Sequence, residues 1–237
     1  QRGRRDLLNG QEIDIYVPSH NIGFEVNGVF WHSDQFKHAN YHVKKKKEAF
    51  LKGINLVHVW EDDIVHRIDV LRSRIGSMFS KNKNIYGRKC SLAEIDVRTA
   101  RNFFDANHLQ GHVNGTCYLG LFHAGTLVAA MSFSKLRRVV GHTPRDGSFE
   151  LLRYCTAKET NVTGGAGRLF SHFVREFAPR HVISYADLCW TPLNGGFYEK
   201  IGMRHTGFTR PGYSYVKDGI RIHRYKFRKS ELVKMGH

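Results

Sequence analysis

Asp14, Glu25 and Asn27 carry the oxygen-rich side chains with which a protein can hold a hard cation. They lie on two short runs, Gln11 to Val17 and Ile22 to Asn27, that alternate polar and apolar residues. That alternation is the period of a half-buried strand. Pro18-Ser19-His20-Asn21 between the runs is turn chemistry. Side chains two apart share one face of a strand. The pattern therefore predicts Ile13, Ile15, Val17, Phe24 and Val26 against a core, with Asp14, Glu25 and Asn27 converging on the opposite face. Two carboxylates brought together repel unless positive charge lies between them. Oxygen ligands of this kind suit Mg2+ (or Mn2+). The plainer alternative is a pair of solvated acids on the outer face of a hairpin.

The next segments add to that chemistry. Gly28-Val29-Phe30-Trp31-His32 sets a histidine just past the second strand. Tyr41 to Lys52 reads as a helix, with His42, Lys45 and Lys46 on one face at helical spacing. Gly53 stops it, and Ile54 to Trp60 reads as a third, more buried strand. The order strand, turn, strand, helix, strand, with acids on the hairpin, resembles the core of the PD-(D/E)XK nucleases. The string Asp14-Ile15-Tyr16, Gly28 to His32 and Val59-Trp60-Glu61 is similar to the very-short-patch-repair (Vsr-like) branch. It looks closest to the form found in phage-borne, homing-type endonucleases, over roughly residues 1 to 63.

The resemblance implies roles residue by residue. Asp14 would be the central metal ligand, and Glu25 a second ligand or a group acting through bound water. Asn27 stands where these enzymes usually carry Lys, so another group must supply the positive charge. His32 would be a general acid or a water activator, a task that suits its ordinary pKa. His42 and Lys45 would orient water or neutralise the phosphate. Trp31 would wedge into or stack on bases, or else belong to the core. Vsr-like sites often carry an acid on a helix ahead of the hairpin. In this sequence the basic run Gln1 to Gly10 stands there.

Charge points to the same class of partner. Lys and Arg number 37 against 21 Asp and Glu, a formal net of +16 over 237 residues. Such a balance says little about fold and much about attraction to polyanions. Residues 1 to 84 hold 14 basic and 10 acidic residues, a net of +4, and residues 85 to 237 hold 23 and 11, a net of +12. The expected partner is double-stranded DNA. No long apolar run or basic amphipathic anchor suggests a membrane, and no signal segment is evident. Cys90, Cys117, Cys155 and Cys189 are widely spaced with no zinc-ligand pattern. Reduced thiols suit an intracellular, cytoplasmic protein, in the host cell if the chain is phage-encoded.

Glu61 to Ser80 reads as one helix, with three acids at its N-terminus. The polar, basic stretch Ser80 to Asn84 is the expected boundary between a domain at 1–80 and a second at 85–237. In the second, a helix is expected at Ile95 to Asn107, with Phe103 and Phe104 as core candidates. Strands are expected at Cys117 to Phe122, Thr126 to Phe133, Phe149 to Cys155 and His181 to Ala186, and paired closing strands over 204–228. Thr163-Gly164-Gly165-Ala166-Gly167-Arg168 opens a further helix through Phe177.

That order, with Asn194 and Phe197-Tyr198-Glu199-Lys200-Ile201-Gly202-Met203, resembles the GNAT acetyltransferase fold over roughly residues 88 to 229. Ser184 to Asp187 and Asp218 to His223 also resemble phage Mom-type DNA modification proteins. In working GNAT enzymes the glycine-rich turn offers N–H groups to a coenzyme pyrophosphate. Here Asn161 or Val162 stands where Arg or Gln is expected. The glycines either allow close helix–strand packing or hold a DNA phosphate. Tyr198 is either a general acid, as the family would have it, or core.

The expected fold class is α/β (α+β), a Vsr-like PD-(D/E)XK core followed by a GNAT-like mixed-sheet domain. The expected function is a magnesium-dependent endonuclease of homing type acting on double-stranded DNA. Arg137, Arg138, Arg221, Arg224, Lys226, Arg228 and Lys229 are the candidate phosphate contacts. The alternative is a Mom-like, CoA-dependent DNA-modifying transferase with an accessory nuclease-like domain.

Overall fold

The computed structural model describes residues 1–29, 41–136, 146–194, 196–210, 212–227 and 233. It is a mixed α+β chain whose described part divides into two compact units. The first comprises Gln1–His66, Asp187–Glu199 and the described part of Met203–His237. The second comprises Arg67–Ala186 and Lys200–Gly202. Asp187–Glu199 and most of the closing segment, which the sequence reading placed with the second domain, thus lie in the first unit.

The first unit is built on a four-stranded sheet in the order β1 (Arg2–Leu8), β2 (Gln11–Val17), β3 (Ile22–Asn27), β4 (Asn55–Trp60). The first three strands run antiparallel and β4 lies parallel to β3. A parallel neighbour needs a crossover, and helix α1 (Tyr41–Leu51) lies in that connection. β1 was not foreseen in the basic N-terminal run. It forms because Asn9 and Gly10 both take positive φ, 49° and 90°, as a two-residue hairpin turn of the primed type demands. Leu8, Ile13, Tyr16, Ala49, Ile54 and Leu56 pack into one core between the sheet and α1. Burying a Leu or Ile side chain contributes roughly 1.5–3 kcal/mol. Gly23 makes the close packing possible: a Cβ there would stand 3.0 Å from Leu56 Cδ1 and 3.1 Å from Ile13 Cγ2.

The expected helix over Glu61 to Ser80 is two helices, α2 (Glu61–His66) and α3 (Ile68–Met78). The break falls at Arg67, whose φ of −135° is not helical and whose Nη2 donates to the His108 carbonyl at 2.6 Å. The described closing segment of the first unit holds a short antiparallel hairpin, Ser214–Lys217 with Ile220–His223.

The second unit contains β5 (Lys83–Tyr86), β6 (Ser91–Glu94), α4 (Val97–Asn107), β7 (Cys117–His123), β8 (Thr126–Lys135), β9 (Ser148–Thr156), β10 (Thr160–Thr163), α5 (Gly165–Phe177) and β11 (His181–Ile183). β11-β9-β8-β7-β6 form one sheet, antiparallel except for β9 with β11. β5, which includes part of the expected linker, pairs in parallel with β10. Asp96 caps α4 by accepting the Arg98 and Thr99 N–H groups. Phe104 is fully buried, with Phe103 packed at the edge of its cluster. On α5, Phe173 stacks on Phe133 at 3.6 Å between ring centroids. Short helix α6 (Phe197–Lys200) and the hairpin strands β12 (Ser214–Lys217) and β13 (Ile220–His223) complete the element order. No described helix is long and apolar enough to cross a membrane.

Candidate functional site

The antiparallel ladder of β2 and β3 pairs Ile15 with Phe24. The paired register ends there, and beyond it the Asp14 carboxylate accepts the Val26 N–H at 2.7 Å. In the parallel ladder Glu25 lies beside His58 and Asn27 beside Trp60. Glu25, Asn27, His58 and Trp60 therefore share one face of the sheet.

Glu25 and Asn27 on that face are buried, which corrects the expected distribution. Ile15 and Val26 are 40% and 43% exposed, whereas Glu25 and Asn27 are 5% and 0% exposed. Ile13 and Phe24 are buried as anticipated. The cause is α1, which covers the acid-bearing face and lays Lys45 and Lys46 onto it. The Lys45 ammonium meets Glu25 Oε2 at 2.6 Å and also donates to the Glu12 carbonyl. Lys46 Nζ donates to the Leu56 carbonyl at 2.9 Å. Strand alternation alone could not show which face a helix would cover.

Glu25 is held above the usual carboxylate range. Burial is the main cause, opposed by the Lys45 hydrogen bond and charge and by the Asp14 backbone N–H, and reinforced by the Asp14 charge. Its second oxygen, Oε1, is buried with no hydrogen-bond partner among the described residues, and so is Asn27 Oδ1. The Asn27 amide Nδ2 faces His58 Nδ1 at 3.3 Å. The His42 ring stands edge-on to His58, 5.0 Å between centroids, and 5.7 Å from Trp60. His42 and Lys45 are thus both brought to the acid-bearing face, as their helical spacing implied.

His58, Trp60 and Lys46 were not among the sequence-derived candidates. A histidine inside the apolar run Ile54 to Trp60 was the available signal, since a polar side chain in a buried strand needs a partner. Arg221, from the closing hairpin, was expected on phosphate. Its Nε donates to Asp62 at 2.8 Å and its Nη2 to Asp63 at 2.9 Å. Its guanidinium also lies 4.5 Å from the Trp60 ring centroid. Burial raises the Asp63 carboxyl, against the Arg221 charge and with added repulsion from Asp62 and Asp187. Glu61 accepts the Val29 N–H at 3.1 Å. Arg224 lies over the Tyr213 ring. Trp31, His32, Arg137, Arg138, Arg228, Lys229 and the side chain of Lys226 lie outside the described residues.

Among the described residues no group of three or more His, Cys, Asp or Glu side chains is placed to hold a metal. Asp14 and Glu25 nevertheless fit a hard cation. Both offer oxygen ligands, and Glu25 Oε1 has no hydrogen-bond partner among the described residues. The face can also hold an ammonium near a phosphate, through Lys45.

In the second unit, Gly164 precedes α5 with a φ of 74°. A cavity of about 560 Å³ there is lined by Tyr86, Arg88, Thr163, Gly164 and Arg168. Arg168 Nη1 donates to the carbonyls of Gly87 and Cys90. Asn161 pairs with Asn84 at 2.9 Å, and Val162 is buried. Neither side chain takes the place of a pyrophosphate-binding Arg or Gln. Tyr198, half-buried, lies in the first unit. All four cysteines are free.

Burial lowers the Lys46 amine to about 8, against the Cys189 and Asp187 side chains, which favour its charge. Its ordinary value is 10.5, so between about pH 8 and 10.5 the unfolded chain holds a proton that the folded chain has lost. Stability from this group is therefore present above 10.5 and lost as pH falls through about 8. The gain in unfolding free energy from Lys46→Met should shrink as pH rises through that window. Denaturant titrations showing a pH-independent difference would contradict the assignment. The chain matches no protein-family model, and no curated protein matches it in sequence.

Proposed function

We propose that this chain is a magnesium-dependent endonuclease that hydrolyses phosphodiester bonds in double-stranded DNA, of the phage-borne homing type. One observation carries the reading. Glu25 is buried near Asp14, with one oxygen on the Lys45 ammonium and the other without a hydrogen-bond partner among the described residues. The strand order and the parallel β3–β4 pair around α1 are consistent with a Vsr-like PD-(D/E)XK core. The GNAT-like reading of the region after residue 85 supplies DNA recognition, supported by its net charge.

Asp14 and Glu25 would hold Mg2+ or Mn2+. When bound, that ion relieves charge on the phosphate and lowers the pKa of water. Hydrolysis forms a bond from water oxygen to phosphorus and breaks the bond to one ester oxygen, which leaves with a proton. Lys45 supplies the positive charge that Asn27 cannot, and it arrives from the helix rather than the strand. Its contact with Glu25 fixes the ammonium where it can orient water or a phosphate oxygen. His42, on the same helix face, is a second water-orienting group. His32 retains the proton-transfer role that the resemblance implies.

The second reading is a CoA-dependent DNA-modifying transferase, favoured by the cavity beside Gly164. The placement of Asn161 and Val162 weighs against it. The full chain in EDTA should bind duplex DNA with affinity that falls steeply with salt, about 0.9 log units per neutralised phosphate for each log unit. Acetyl-CoA should produce no heat of binding. A micromolar acetyl-CoA isotherm would make the transferase the better account.

Catalysis can be separated from the structural use of the ion pair. Lys45→Met leaves a buried Glu25 charge alone and should destabilise the fold by about 3–5 kcal/mol. Lys45→Met combined with Glu25→Gln removes both charges and should recover most of that stability. Plasmid nicking in Mg2+ should nonetheless fall by roughly 10²–10⁴-fold in the double variant. Wild-type nicking by a folded double variant would return the pair to a purely structural role.

A further inference from the structure

Asn27 is fully buried on the strand position where a lysine was expected, and nothing in the hydrolysis described above uses its side chain. Its amide Nδ2 faces the buried His58 Nδ1 at 3.3 Å, while its Oδ1 has no hydrogen-bond partner among the described residues. A buried carbonyl oxygen left without a donor costs about 1–3 kcal/mol. Two residues earlier, on the same face, Glu25 Oε1 is buried and orphaned as well. Both orphans are acceptors. A neighbouring side chain with the same need cannot satisfy either, and Lys45 is committed to Glu25 Oε2 and the Glu12 carbonyl. A cation satisfies two such oxygens together.

We propose that Asn27 is a third oxygen ligand, through Oδ1, of the cation held by Asp14 and Glu25, and that His58 is the positioning residue that turns the carboxamide to present that oxygen. The inference rests on the reading of Asp14 and Glu25 as cation ligands. With a lone pair on Nδ1, the His58 ring accepts from Nδ2, so the amide nitrogen points to the histidine and the oxygen points away. Reversing the amide would set its oxygen against that lone pair. In that tautomer the side chain has one favoured orientation before any ion arrives, the role usually filled by groups behind a metal ligand. The arrangement also accounts for an Asn at this strand position. Lys45 brings the positive charge from α1, so the strand position is released to serve as a neutral ligand.

The test is Mn2+ binding by calorimetry on the full chain without DNA, with near-UV circular dichroism to verify folding. Wild type should bind Mn2+, and Asp14→Asn should weaken it. Asn27→Leu and His58→Leu should each lower affinity by roughly 10–100-fold. His58→Gln, whose carbonyl can still accept from Nδ2, should stay near wild type. Asn27→Asp, which keeps the shape and adds ligand charge, should bind more tightly. Folded Asn27→Leu binding Mn2+ as well as wild type, or Asn27→Asp binding no tighter, would overturn the proposal while leaving Asp14 and Glu25 as ligands. Should His58→Leu fail to fold, the two Asn27 variants decide. Absence of Mn2+ binding in wild type, or its persistence in Asp14→Asn, would overturn this proposal and the underlying reading together.

Discussion

The buried ion pair between Glu25 and Lys45 is the constraint around which the first unit is arranged. A carboxylate 5% exposed and an ammonium 3% exposed are costly to desolvate. Their contact at 2.6 Å offsets part of that cost only while α1 lies tightly on the sheet. The surrounding apolar packing holds it there, with Ala49 of the helix set against Leu56, Ile13 and Tyr16. Gly23 lets that core approach the strand. A hydrophobic pair of similar size would serve stability at least as well. On the proposed function, chemistry rather than fold strength accounts for the burial of these charges.

A second ion pair ties distant parts of the chain to the same unit. Arg221 and Asp62 are 159 residues apart in sequence, yet the arginine binds Asp62 and Asp63 and covers Trp60. Three acids begin the helix after β4, and Asp62 is 7% exposed, so an opposing charge is needed beside it. Arg221 therefore shapes the end of β4.

Much of the first unit was legible because its signals are local. Alternation located β2 and β3, and helical spacing placed His42, Lys45 and Lys46 on one face. Burial followed the expected faces only in part: Ile13 and Phe24 are buried, but Ile15 and Val26 are exposed, while Glu25 and Asn27 are buried. Alternation fixes which side chains share a face but not which face meets a helix. Asn9-Gly10 was a readable hairpin signal, but the basic residues on either side obscured β1. The break at Arg67 and the pairing of Lys83–Tyr86 with Thr160–Thr163 depend on partners far along the chain. The same holds for Arg221, whose partners no local pattern could name.

The central claim is that Asp14 and Glu25 form the core of a metal-dependent nuclease site. The most direct measurement is conversion of supercoiled plasmid by the full chain in Mg2+, in excess EDTA, and by Asp14→Ala in Mg2+, with DNA affinity measured in parallel. The account predicts cleavage only in the first case and similar DNA affinity in all three. Cleavage at the wild-type rate in EDTA or by Asp14→Ala, or no cleavage by the intact chain in Mg2+ or Mn2+ across a range of duplex sequences, would contradict it.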